Sequence, residues 1–220
     1  MNNTESLLVL NAVESLGPVR IRLLVEEFGS PAAVLAQTVG VLRRVKGIGE
    51  KIAQNICAWH KVFDLDRELA LIAAHKAAVL TYLDAGYPAL LKEIYDPPAV
   101  LYVKGALAET DRYAVGVVGS RWASYYGRQT AEKISADLAR RGITIVSGMA
   151  RGIDTCAHRG ALAAGGRTIA VLGNGLARCY PPENKELMGE IEKSGAVISE
   201  FPMETVPDKR NFPRRNRIIS

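Results

Sequence analysis

Four stretches in the second half of the 220-residue chain, three combining glycine, small polar residues and arginine and one a basic tail, are of the kind an anion site requires. The first is Gly119-Ser120-Arg121, where small residues bring backbone amides to a turn and a guanidinium follows at once. Arginine there supplies a planar, permanently charged fork that suits phosphate. The second is SGMARGID (147–154). Ser147 opens it, Gly148 and Gly152 allow close approach, Arg151 adds charge, and Asp154 is placed to cap the following helix. The third is LGNGLARCYPPEN (172–184). Its GxG follows a third strand rather than a first, so it is not the dinucleotide fingerprint. The fourth is the basic tail KRNFPRRNR (209–217), with Lys209, Arg210, Arg214, Arg215 and Arg217 around Phe212. Charge for the backbone and an aromatic face for a base is the pairing that single-stranded nucleic acid favours.

Candidate catalytic groups are few. Asp154 and His158 stand four apart on one helix and could meet, but a helix cap and a structural histidine is the favoured reading, because nothing else in the segment supplies a nucleophile or a metal set. Cys156 and His158 are two apart and do not face each other on a helix. No serine sits in a GxSxG elbow, and there is no Walker A sequence. Glu200 could hold a ribose or position one of the arginines near it. The pattern therefore points to binding rather than to an enzyme, with no cofactor and no metal.

Period and punctuation say what must position these residues. From residue 113 onward, the short β-branched runs AVGVVG, TIVSG, TIAVLG and AVISE alternate with helical segments. Such alternation means βαβ units on a parallel sheet. Three runs end in glycine and the fourth reaches Ser199 just before its last residue, at the C-terminal edge where open α/β sheets bind ligands. Residues 5–80 have helical spacing throughout and predict a small all-α domain with no strand. Within it, VKGIGEKIAQNI (45–56) reads as a helix-hairpin-helix turn, with SLGPVRIRLL (15–24) as a weaker copy. Gly47 and Gly49 would present amides to a phosphate beside Lys46 and Lys51, with Ile48 plugging the hairpin. The alternative is a hairpin used only for packing or for docking a partner. Tyr87-Pro88 and Asp96-Pro97-Pro98 break helices in 81–112, which reads as a connector packing on the core, with a short strand over 99–105.

Composition fits this plan. Hydrophobic residues are 48% and charged residues 23% of the chain, enough apolar mass for a core. No apolar run spans a bilayer and no basic residue precedes the first apolar segment, so neither a membrane span nor a secretory signal is expected. The three cysteines lack any CxxC spacing and read as reduced thiols in a cytoplasmic protein. Residues 1–112 carry 12 basic and 13 acidic side chains, whereas residues 113–220 carry 16 and 10. The basic excess lies with the proposed edge, as an anionic partner would need.

Taken together, YPALLKEIYDPPAVLYVKG (87–105), VGSR (118–121), SGMARGIDTCAHRGAL (147–162), LGNGLARCYPPEN (172–184), ISEFP (198–202) and FPRRNRIIS (212–220) resemble the DprA/Smf family of bacterial DNA-processing proteins. The resemblance implies an extended Rossmann-like α/β core preceded by a helix-hairpin-helix (SAM-like) domain. It implies sequence-independent binding of single-stranded DNA in natural transformation, loading of the RecA recombinase, and a homodimer. Carried over by motif, Arg121, Ser147, Gly148, the basic residues before and within FPRRNR and the amide of Asn216 line a phosphate pocket, and Asn184 and Lys185 fall near it. The family core continues past this last motif, so the chain is read as a fragment. The alternative is a nucleotide-binding enzyme of the phosphoribohydrolase type on a related core.

Overall fold

The computed structural model describes all 220 residues. The chain opens with five helices: α1 (Asn3–Ala12), α2 (Gly17–Phe28), α3 (Pro31–Leu35), α4 (Val39–Leu42) and α5 (Glu50–Cys57). Asn2 and Glu5 close a reciprocal cap on α1, and Ser30 caps α3, so these short helices begin where their side chains can satisfy free amides. Helix α6 (Leu65–Ala74) follows and leads into strand β1 (Ala78–Thr81).

This strand corrects the expectation of an all-helical run to residue 80. Its four residues pair antiparallel with β2 (Val100–Gly105). A run so short carries too little alternation to be told from the end of the preceding helix, and only the partner strand makes it extended. Between the two strands lies the short helix α7 (Ala89–Glu93). The segment 81–112 therefore adds β2 to the sheet itself as well as packing on it. Tyr87 is buried there and donates its hydroxyl to the carbonyl of Pro98 at 2.9 Å.

The remaining strands are β3 (Ala114–Gly116), β4 (Thr144–Ser147), β5 (Thr168–Leu172) and β6 (Ala196–Ser199). They run parallel to one another, and the six strands stand in the order β1-β2-β6-β5-β4-β3. The crossovers are α8 (Tyr125–Arg140), α9 (Ile153–Ala163) and α10 (Lys185–Ser194), and α9 packs against both of the others. Antiparallel β2 joins this parallel set at β6. No helix is long and apolar enough to cross a membrane.

Alternation along the strands sends side chains to two faces. Val100, Tyr102, Ala170, Leu172 and Val197 share one apolar cluster with Leu187, Met188 and Ile191 of α10 and with Leu7, Leu10, Leu24 and Ile56 of the helical domain. The helical domain is thus fused to the sheet through a continuous core. Asn11 donates to the carbonyl of Glu200 at 2.8 Å, and buried Glu68 accepts the amide of Met203 at 2.9 Å across the same boundary. The turn at 81–86 is pinned by Asp84, which accepts both the amide and the hydroxyl of Thr81. On the other face Leu101, Val103, Val146, Ile169, Val171 and Ile198 pack with Tyr87, Ile218 and Ile219.

Residues 211–219 are not a loop. They form helix α11 (Asn211–Ile219), which carries the basic residues back across the C-terminal edge of the parallel strands. Pro213 falls in its first turn, where a missing N–H costs nothing. Ile218 and Ile219 then anchor the helix in the core.

Candidate functional site

Strands β3, β4 and β5 end at a cavity of about 370 Å³. Gly119, Arg121, Ala150, Asp154, Phe212, Arg215 and Asn216 are among its lining residues. Three of the four stretches picked out by residue type contribute to it. LGNGLARCYPPEN reaches it indirectly, since Gly173 lies under the ring of Phe212, where an added Cβ would come within 2.8 Å.

The loops hold one another through close backbone approach. Ile153 donates its amide to the carbonyl of Ser120 at 3.2 Å. Gly152, at φ +77°, lies so near that carbonyl that a Cβ would sit 2.2 Å from it. Only glycine fits both the conformation and the gap. Ser147 buries its hydroxyl and donates to the carbonyl of Val117 at 2.6 Å, tying β4 to the stretch after β3. Asn184 is buried as well, and its amide nitrogen reaches the carbonyl of Met149 and the hydroxyl of Thr155, both at 2.9 Å. These two side chains shape the loops and do not line the cavity.

Asp154 departs from its expected capping role. Gly152 is the residue at the helix cap, so Asp154 lies inside the first turn of α9. Its carboxylate accepts the amides of Gly148 at 3.2 Å and Ala150 at 3.3 Å. The amides of Gly148 and Ala150, just after β4, are therefore taken by an internal carboxylate. Burial pushes the Asp154 pKa up, opposed by those amides, by the amide of Gly119 and by the charge of Arg215.

Arg215 is 4% exposed, a floor residue rather than a surface contact. Its guanidinium donates to the carbonyl of Gly148 at 2.8 Å and to that of Val171. Burial lowers its pKa, and the charge of Asp154 offsets part of that effect. Gly148 makes room for it, since a Cβ there would lie 2.5 Å from Nη2. The floor of the cavity thus holds one buried cation and one buried anion.

Most other basic residues of the edge are already paired. Arg151 pairs with Glu183. Arg210 pairs with Asp208 at 2.9 Å. Arg217 grips Glu200 with two bonds of 2.6 and 2.7 Å and also meets Asp96 at 3.4 Å, so Glu200 positions an arginine. Arg214 stands 3.9 Å from Glu200 and lies over the ring of Phe201. Lys185 and Lys209 are exposed and make no ion pair. Arg121 is exposed, lines the cavity, lacks a carboxylate partner, and sits 5.1 Å from the centre of the Phe212 ring. The ring of Tyr180 stands 6.1 Å from that of Phe212.

His158 faces away from this chemistry. It is fully buried, its Nδ1 is 2.7 Å from the hydroxyl of Thr168, and burial with the charge of Arg215 pushes its pKa down to about 3. It makes no bond to Asp154, which for its part holds loop amides rather than capping the helix.

In the helical domain, the turn between α4 and α5 places Ile48, Ala53 and Ile56 in the core. Arg20 of the first hairpin donates to the carbonyl of Gly47 at 2.9 Å. Lys46, Gly49 and Lys51 lie exposed beside it, away from the residues lining the cavity.

Sequence reasoning missed the aromatic residues of the edge other than Phe212. Tyr180 is one. Trp122, Tyr125 and Tyr126, directly after Arg121, are the others. Their signal was available as three aromatics in five residues abutting a basic turn.

The geometry agrees with what the chain is similar to. The family model for DNA recombination-mediator protein A matches residues 78–220, and one for a SAM-like helix-hairpin-helix tandem matches residues 7–58. The chain is 38% identical over 217 residues to Protein Smf of Synechocystis sp., covering 97% of this chain and 54% of that protein. It is 44% identical over 135 residues to DNA processing protein DprA of Bacillus subtilis, covering 61% of this chain and 46% of that one. The chain spans about half the length of these curated relatives. Among solved structures, DNA processing protein A of Streptococcus pneumoniae superposes with a TM-score of 0.81 at 34% identity, over 100% of this chain and 75% of that chain. DNA processing protein A of Helicobacter pylori, described for its single-stranded DNA binding mode, superposes with a TM-score of 0.58 at 29% identity, over 66% of this chain and 64% of that one.

Proposed function

The chain belongs to the DNA recombination-mediator protein A family, and from that premise we propose that it binds single-stranded DNA without reading its sequence. The observation that carries this reading is Arg121, an unpaired guanidinium on the rim of the cavity and over the ring of Phe212. A backbone phosphate lies against Arg121, with the buried charge of Arg215 beneath it. The Phe212–Tyr180 pair gives a neighbouring base or sugar an apolar face. Lys185 and Lys209 add attraction that depends on salt but not on sequence. The wider role is the family's: protecting incoming single strands during natural transformation in the cytoplasm and loading RecA onto them, as a homodimer in the whole protein.

Fluorescence anisotropy with labelled oligo-dT, an equally long duplex and a nucleoside monophosphate tests the reading. Preference for the single strand, lost steeply as salt rises, is the expected result. Equal binding to the duplex contradicts it. Binding of the monophosphate without the oligonucleotide also contradicts it, and favours the phosphoribohydrolase-type enzyme.

A further inference from the structure

The side chains that follow Arg121 have no evident use in the fold. Trp122 is 91% exposed, Tyr125 71% and Tyr126 79%, with Val118 exposed just before them. Large aromatics left in water add little to folding, and their clustering marks a surface that meets something. They stand on rigid backbone. Trp122 donates its amide to the hydroxyl of Ser120 at 3.1 Å, and Ser124 caps α8 by accepting the amide of Gly127 at 3.1 Å. The patch also shares its support with the phosphate cavity. Added Cβ atoms at Gly119 and at Gly127 would both meet the side chain of Ile153, at 2.6 and 3.6 Å. The aromatic turn and the cavity rim are thus two sides of one packed unit.

The charge around the patch indicates the occupant. Between Asp111 and Glu132 the chain has no acidic residue; of the arginines there, Arg112 pairs with Glu109, whereas Arg121 and Arg128 have no carboxylate partner. Arg121 and Arg128 bracket the three aromatics and are both exposed. Aromatic faces set among unneutralised arginines fit a polyanion that carries stackable bases.

We propose that Trp122, Tyr125 and Tyr126 form a stacking platform for the bases of single-stranded DNA, extending the binding track from the Arg121 cavity along the start of α8. The inference rests on the single-strand reading above and adds a second segment of contact to it. A strand whose phosphate is held at Arg121 lays its next bases on this turn. Stacking is tolerant of base identity because every base has a π face, so the platform lengthens the footprint without creating sequence preference.

The test uses the full chain carrying Trp59→Phe, so that Trp122 is the single remaining tryptophan. Titration with oligo-dT is followed by Trp122 emission and by anisotropy of the labelled strand. The expected result is quenching of Trp122 on binding. Trp122→Ala and Tyr125→Ala/Tyr126→Ala should each weaken binding about 5- to 100-fold with the salt slope unchanged, because phosphate contacts are untouched, and Trp122→Phe should restore most of the affinity. If the parent chain binds oligo-dT but emission does not change and the aromatic variants bind as it does, the platform is overturned and the single-strand reading stands. If the parent chain binds no single strand, the single-strand reading itself has failed, and the platform with it. If the variants weaken binding only by lowering sedimentation mass, with no quenching in the parent, the patch is an interface between copies and the platform is overturned.

Discussion

The guanidinium of Arg121 lies 5.1 Å from the centre of the Phe212 ring, joining the turn after β3 to the first turn of α11. The two residues are 91 positions apart and belong to motifs that carry no information about each other. Their contact gives the edge a charge and an aromatic face at one place. It also holds Arg121 on the rim without neutralising it, since a ring attracts a cation by its quadrupole and leaves the guanidinium N–H groups free for an anion.

Arg217 was grouped with the ligand-binding arginines by its position in the basic tail, but its partner Glu200 has a side chain only 1% exposed. Removing the cation leaves a buried carboxylate uncompensated, so Arg217→Met should lower unfolding free energy by about 3 kcal/mol. Urea denaturation measures this. A loss within about 0.5 kcal/mol, the range of an ordinary surface substitution, would mean that the ion pair is not holding α11 to β6.

Glycine at 148 and 152 is required by what lies beside it. Gly148→Ala drives a methyl group into the Arg215 guanidinium and should cost about 1–3 kcal/mol, as overpacking does. Gly152→Ala meets the fixed carbonyl of Ser120 and adopts positive φ as well, so it should cost more than Gly148→Ala and loosen the 119–121 turn. Thermal melts rank the two. The reverse order would show that the 148–153 loop is softer than its hydrogen bonds imply.

Acid should weaken the fold through His158. The folded chain protonates it only near a pKa of about 3, whereas the unfolded value is 6.5. Between those values the unfolded state binds more protons, so this contribution to stability is full above 6.5 and is lost as pH falls, by about 1.4 kcal/mol per unit. Asp154, whose pKa is raised, acts in the opposite sense, so the comparison must isolate the histidine. Between about pH 7 and pH 5, the parent should lose about 2 kcal/mol more than His158→Gln does. Parallel pH profiles for the two would show that the ring can take a proton in the folded state.

Much of the edge was legible because its elements are locally determined. The runs TIVS, TIAVL and AVIS are strands wherever a helix covers them, and glycine at their ends marks the loops. What was hidden depends on pairing across the chain. Strand β1 is extended because β2 is beside it, and α11 is a helix because Ile218 and Ile219 have a sheet to bury against. The site residues divide in the same way. Residue type picked out Arg121 and Phe212, which the structure brings together at the cavity. It could not show that Arg151, Arg210 and Arg217 each have a carboxylate of their own, or that Asp154 occupies the amides of Gly148 and Ala150. Trp122, Tyr125 and Tyr126 stand out in the sequence as aromatics abutting a basic turn, and their exposure shows that they do not belong to the core.

The central claim is that Arg121 is the phosphate contact of this edge. Its most direct test is the salt dependence of oligo-dT binding for the parent chain and for Arg121→Ala. Loss of one phosphate contact should weaken binding to every sequence alike and make the slope of log affinity against log salt shallower by about 0.7. A variant that binds with the parent's affinity and the parent's slope would contradict the account.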